Sequence, residues 1–201
     1  PEVTEIVVGT VMRRVKPLKE EYRRISEKYL LPVGYQGNNL FCSDWDAAHM
    51  EELDYNGLFQ YLYSVKYGDR FEADSYKAGI PKAEFESLMM EYLPVTAEQL
   101  KQYAVYDAKS QTYAWEILGC GNYAPKFFGT SIPEITGIKE NENGTVTLTV
   151  DAVCEMKGKD AVISHKLTVQ FLENGSIRYL ENQVLGDGLE KIPQYQYRLE
   201  K

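Results

Sequence analysis

The chain has 201 residues, of which 44% are hydrophobic and 26% charged, an ordinary balance for a globular protein long enough to bury a sizeable core. Its 22 basic residues against 30 acidic ones leave a net charge of −8, which disfavours non-specific attraction to nucleic acid or to an anionic membrane surface. No uninterrupted apolar run is long enough for a transmembrane span.

Residues 1–15, PEVTEIVVGTVMRRV, mix β-branched side chains with Gly9 and read as a strand or as an extended approach to the first helix. The opening PEVTEI echoes PEITGI at 133–138, but the echo stops there, because nothing after Ile6 resembles the later GTVTLTV. The chain begins at Pro1 and not at Met; removal of a leader or lipoprotein signal explains this, and so does excision of a domain.

From Pro17, the run PLKEEYRRISEKYLL places Leu18, Tyr22, Ile25, Tyr29 and Leu30 at helical spacing, and Pro32 and Gly34 end it. A loop rich in Gly and Asn follows over 34–41. Ser43, Asp44, Trp45 and Asp46 then look like a capped helix start, with Met50, Leu53, Leu58, Phe59, Leu62 and Val65 as its apolar stripe and Gly57 as a weak point that could break it in two. Tyr67-Gly68 closes this element. Pro81 opens the next helix, turning Phe85, Leu88, Met89, Tyr92 and Leu93 inward, and Thr96 with Gln99 forms a capping box for a short helix through about Tyr103.

The pattern becomes β from Val105. VYDAKSQTYAWEILGCG reads as two strands around a turn at 107–110, and residues 122–133 lead into four antiparallel strands over 133–185. There Thr145, Thr147, Thr149 and Asp151 alternate with Val146, Leu148, Val150 and Ala152. Ile163, His165, Leu167, Val169 and Phe171 likewise alternate with Ser164, Lys166, Thr168 and Gln170. Asn143-Gly144 and Asn174-Gly175 suit the positive φ of tight hairpins, with 157–160 as the polar turn between them. Tyr195-Gln196-Tyr197 reads as a last edge strand. Helices first and an antiparallel sheet second is the order of an α+β fold, expected as one domain over 1–201, helical over about 14–104 and sheet over about 105–199. The expected architecture is N-terminal helices packed on a C-terminal β-meander, in the manner of cystatin-like or NTF2-like cones.

The densest group of reactive side chains is Asp44, Trp45, Asp46, His49, Glu51, Glu52 and Asp54. Asp46 and His49, three apart, share a face of a helix, a spacing that metal ligands can use, and a carboxylate pair near a tryptophan is what a glycoside hydrolase needs for acid and base. A solvated acidic helix start explains the same residues without chemistry. His165 on the apolar strand face reads as a buried, hydrogen-bonded histidine. No GxSxG, HExxH, GxGxxG or Walker pattern occurs, so no catalytic set, metal or cofactor is expected. Cys42, Cys120 and Cys154 contain no CxxC pair; Cys154 reads as a buried thiol, and a bridge between two of the three stays open. Sixteen Tyr and two Trp supply many rings with polar tips, and Trp45, Tyr113, Trp115 and Tyr123 are the candidates for stacking on a sugar or gripping a peptide. The same rings would also serve as the rim of the core.

The phrases IPKAEFESLMMEYLPVTAEQLKQYAVYDAKSQTYAW, PEIT, NGTVTLTV, SHKLTV and NGSIRYLEN, in this order, resemble a family of uncharacterised secreted proteins or lipoproteins from Gram-positive gut-type bacteria, over about residues 45–184. The resemblance implies a location outside the cytoplasmic membrane, with a lipid anchor upstream of Pro1 as one form of attachment, and it implies no activity and no site residue. Together these readings lead to a non-enzymatic extracellular or cell-surface domain that binds a glycan or peptide. A hydrolase built around Asp46 and His49, or a structural spacer, are the contrasting expectations.

Overall fold

The computed structural model describes residues 18–68, 71–117, 131–154 and 161–199. The expected strand within 1–15 and its echo, the turn at 157–160, Tyr123 and Cys120 lie outside the described residues. The fold is α+β.

Helix α1, Glu20–Ile25, continues as a π-helical turn over Ser26–Leu30 and stops at Gly34, whose φ of 59° suits a residue without Cβ. Helix α2 spans Tyr55–Tyr67 and ends at Gly68. It begins nine residues later than Asp46, which corrects the expected helix start: its N-cap is Asp54, whose carboxylate accepts from Gly57 N at 2.8 Å. Gly57 does not break the helix. A Cβ there would lie 2.6 Å from that carboxylate and 2.9 Å from Gly37 O, so the first turn closes only because residue 57 has none. Strand β1, Ile80–Pro81, leads directly into α3, Lys82–Tyr92, and the capping box of Thr96 and Gln99 starts α4, Ala97–Tyr103.

The short strands β2, Tyr106–Asp107, and β3, Thr112–Tyr113, join β1 in a three-stranded sheet of order β1-β3-β2. The two strands expected around the turn at 107–110 thus form a small sheet with the residues before α3, separate from the meander. The four-stranded sheet is the expected antiparallel meander: β4, Ile132–Glu140, β5, Val146–Val153, β6, Ser164–Phe171, and β7, Ile177–Val184, in sequential order. Gly144 and Gly175 take φ of 77° and 76° in its two Asn-Gly turns.

The inner face of this sheet carries Ile135, Leu148, Val150, Leu167, Val169, Ile177 and Tyr179, all fully buried. The α1 and π-helical turn lie on β4, where Ser26 Oγ accepts from Ile135 N at 2.9 Å, and α3 lies on β7. Burying each such aliphatic side chain contributes about 1.5–3 kcal/mol. The cover is not only helical. The loop over 35–42 runs through the core, and its polar groups are satisfied locally: Asn38 Nδ2 donates to Val33 O at 2.9 Å, and Asn39 Oδ1 accepts from Asp54 N at 2.9 Å. Phe171, expected on the buried face, is 37% exposed and packs on Tyr29 at the sheet margin.

The C-terminal tail is not the expected edge strand. After the short helix α5, Gly188–Lys191, it runs back to the start of α2, where Tyr195 Oη donates to Asp54 Oδ2 at 2.7 Å. Arg198, 6% exposed, donates to Gln60 Oε1 at 2.8 Å and Glu116 O at 3.1 Å with its guanidinium 5.5 Å from the Trp115 ring centroid. No helix of the described residues is long and apolar enough to cross a membrane.

Candidate functional site

Two β-bulges decide which side chains face away from the core. In β4 the register slips between Ile135 and Gly137, so Thr136 is an extra residue; Ile138 opposes Leu148 on the inner side and Gly137 opposes Thr149 on the outer side. In β7 the slip falls opposite Thr168 and Val169, making Leu180 the extra residue. Ile177 and Tyr179 point inward before it, and Asn182 and Val184 after it, which leaves Glu181 and Gln183 exposed on the outer face.

The outer face consequently carries two adjacent cross-strand rows. Register pairs Gly137 with Thr149, Thr149 with Lys166 and Lys166 with Gln183; the next row runs Lys139, Thr147, Thr168, Glu181. These rows line an open groove of about 360 Å³, a volume within the range of small-ligand sites. Gly137 forms part of its wall without a side chain. Thr147 Oγ1 accepts from Asn141 Nδ2 at 3.0 Å, and Thr168 Oγ1 lies 3.4 Å from Glu181 Oε2. Neither Lys139 nor Lys166 forms an ion pair among the described residues. The arrangement offers hydroxyl, amide and ammonium groups to a polar ligand.

The aromatic candidates stand elsewhere. Trp45 is 4% exposed; its Nε1 donates to Leu40 O at 2.7 Å, and its backbone pairs with Asn182 along the outer edge of β7. Tyr113 is fully buried, with its ring stacked 4.0 Å from that of Phe85 and its hydroxyl donating to Glu86 Oε1 at 2.9 Å. Trp115 is 7% exposed and lies between Phe71 and Arg198. The three rings are packing elements of the core, because covered faces cannot stack on a ligand. They do not line the groove.

Asp46 and His49 do come together, at 2.9 Å between Asp46 Oδ1 and His49 Nδ1, in an exposed turn and not on a helix. The same Oδ1 accepts from Ala48 N at 2.8 Å and His49 N at 3.0 Å. These backbone donors, the Ala48 amide foremost, together with His49 hold the carboxyl below its ordinary range. The turn uses its carboxylate to organise itself. Asp44, of the same acidic group, accepts from Val184 N at 2.7 Å and so seals the β7 edge. Among the described residues no group of three or more His, Cys, Asp or Glu could hold a metal ion.

His165 is fully buried, as its place in the alternation requires, with Nδ1 2.6 Å from Asn182 Oδ1 and Nε2 2.9 Å from Tyr35 Oη. Asn182 Nδ2 donates to Ser43 O, which turns its oxygen to the histidine; Nδ1 therefore carries the proton and Nε2 accepts from Tyr35. Burial holds the imidazole neutral and lowers its pKa to about 4. Cys42 and Cys154 are free and buried, and burial pushes the Cys42 thiol up to about 12.

Sequence reading had already put Thr147, Thr149, Lys166 and Thr168 on a wet strand face. It missed the groove, whose one local signal is Gly137 inside a strand pattern. Fold and site together define an α+β protein whose meander keeps one polar, grooved face turned to solvent. The chain belongs to the family of unknown function DUF6070, whose model matches residues 1–198. It matches no curated protein and no solved structure.

Proposed function

We propose that the chain is a non-enzymatic binding domain acting outside the cytoplasmic membrane, and that it takes an extended polar ligand, a glycan or a peptide, in the groove on the outer face of the meander. The observation that carries this reading is the groove itself: two register-aligned rows of hydroxyl, amide and ammonium groups beside a strand glycine. Its residues contribute little to the core, so their chemistry is free for a ligand. The resemblance to secreted and lipoprotein families supports the location. In contrast to the groove, the exposed turn of Asp46 and His49 offers two side chains already committed to each other and to backbone amides.

A glycan and peptide array probed with the purified domain tests the binding. At least one class should be retained, and Gly137→Val, which fills the groove wall, should abolish retention. A Cβ at Gly137 would meet Thr149 at 3.5 Å, an ordinary contact, and an unchanged circular dichroism spectrum checks that the variant keeps its fold. Silence on both arrays would overturn the reading in favour of a structural spacer. Surface protease treatment of intact cells, followed by detection of the protein, tests the location.

A further inference from the structure

Charge is distributed unevenly over this molecule. The chain as a whole carries −8, yet among the described residues the groove holds Lys139 and Lys166 against the single carboxylate of Glu181. Both ammonium groups are without an ion-pair partner among the described residues, although acidic side chains outnumber basic ones in the chain. They stand on adjacent rows, one on β4 and one on β6, with Thr147 and Thr149 of β5 between them.

We infer that the groove's ligand is a carboxylate-bearing saccharide, with single negative charges spaced along a hydroxyl-rich chain; this rests on the groove being the binding site. Separate ammonium groups suit charges carried one per sugar, whereas a doubly charged phosphate calls for clustered cations or a guanidinium fork. Threonine hydroxyls both donate and accept, as the hydroxyls of a sugar do. Among the described residues no aromatic ring lines the groove, so the stacking that holds uncharged sugars has no platform in them. A peptide would find little of what it uses. β5 and β6, which run under the middle of the groove, are paired on both sides and offer no ladder to extend, and among the described lining residues the one apolar residue, Ile138, opposes Leu148 on the inner side. The net negative charge of the chain opposes long-range attraction, so binding is local, modest and sensitive to salt.

Titration of the ¹⁵N-labelled chain with hexagalacturonate, followed by amide shifts, provides the test, with maltohexaose as the uncharged probe and poly-L-glutamate as the acidic peptide. Hexagalacturonate should shift the amides of 147–149 and 166–168. The paired substitution Lys139→Gln and Lys166→Gln should weaken it about tenfold, the loss expected on removing charged hydrogen bonds. Raising salt from about 0.05 M to about 0.5 M should do likewise. Maltohexaose binding as tightly as hexagalacturonate, or indifference to the paired lysine substitution while Gly137→Val still blocks, would overturn the charge inference and leave the groove standing. Poly-L-glutamate binding as tightly as hexagalacturonate would overturn the choice of a saccharide. If no probe moves these amides, or if Gly137→Val leaves binding intact, both the inference and the groove reading fall.

Discussion

Tyr35 Oη donates to His165 Nε2 across 2.9 Å in the centre of the molecule, joining a loop to the inner face of the sheet. Phe41, from the same loop, stacks on the imidazole with ring centroids 5.4 Å apart. This contact makes an irregular stretch of chain part of the core, and it ties folding to pH.

His165 has its pKa lowered from 6.5 to about 4 by burial. The unfolded chain takes up a proton at this site once pH falls below 6.5, while the folded chain resists until about 4. The associated stability is therefore fully present above the upper value and lost on acidification through this window, to the extent of about 3 kcal/mol. Urea unfolding at a series of pH values should show this loss, and His165→Gln should start lower at neutral pH yet decline less. Parallel profiles for the two proteins would contradict it.

Removing the Tyr35 hydroxyl leaves a buried imidazole nitrogen without its donor. Tyr35→Phe should cost about 1–3 kcal/mol in chemical denaturation and should raise the His165 pKa toward its ordinary value, since the lost hydrogen bond favours the neutral ring. Histidine NMR titration reads the second effect directly.

The C-terminal tail holds the first turn of α2 through Asp54, which accepts from Tyr195 Oη, Arg198 N and Gly57 N. Arg198→Lys should be nearly as damaging as Arg198→Ala, because a point ammonium cannot reach Gln60 and the Glu116 carbonyl together or lie flat against Trp115. Each should lower stability by about 2–4 kcal/mol, measured as a fall in melting temperature.

Gly57 and Gly68 bound the same helix for different reasons. Gly57→Ala meets the Asp54 carboxylate and the Gly37 carbonyl and should destabilise by about 1–3 kcal/mol despite the helix preference of alanine. At Gly68, φ is 65° and nothing lies within 4 Å, so alanine there should cost about 1 kcal/mol from backbone conformation alone. Equal losses at the two positions would remove the steric argument.

The two faces of β5 should separate cleanly in mutagenesis. Leu148→Ala opens a cavity in the core and should cost about 2–5 kcal/mol, whereas Thr149→Ala on the groove face should stay within about 0.5 kcal/mol while weakening ligand retention.

The α+β class, the meander and its order, the capping box at Thr96 and the buried state of His165 follow from the sequence because each is written within a few residues. Alternation marks each strand and its faces, the Asn-Gly turns mark where the hairpins begin, and a hairpin pairs neighbours in the chain. Tertiary structure decided the rest. Ser43–Asp46 has the composition of a helix start, but Trp45 finds hydrogen bonds on the edge of β7 and Asp54 caps the helix instead. The ring chemistry of Trp45, Tyr113 and Trp115 suits a binding surface as well as the rim of a core, and Leu40, Phe85 and Arg198 around them make them core. The groove depends on Thr136 and Leu180 as bulge residues, because a bulge is a relation between two strands and leaves no fixed period in either. The order of residues set the alternation within each strand; the pairing of strands set which way Gly137, Lys166 and Glu181 face.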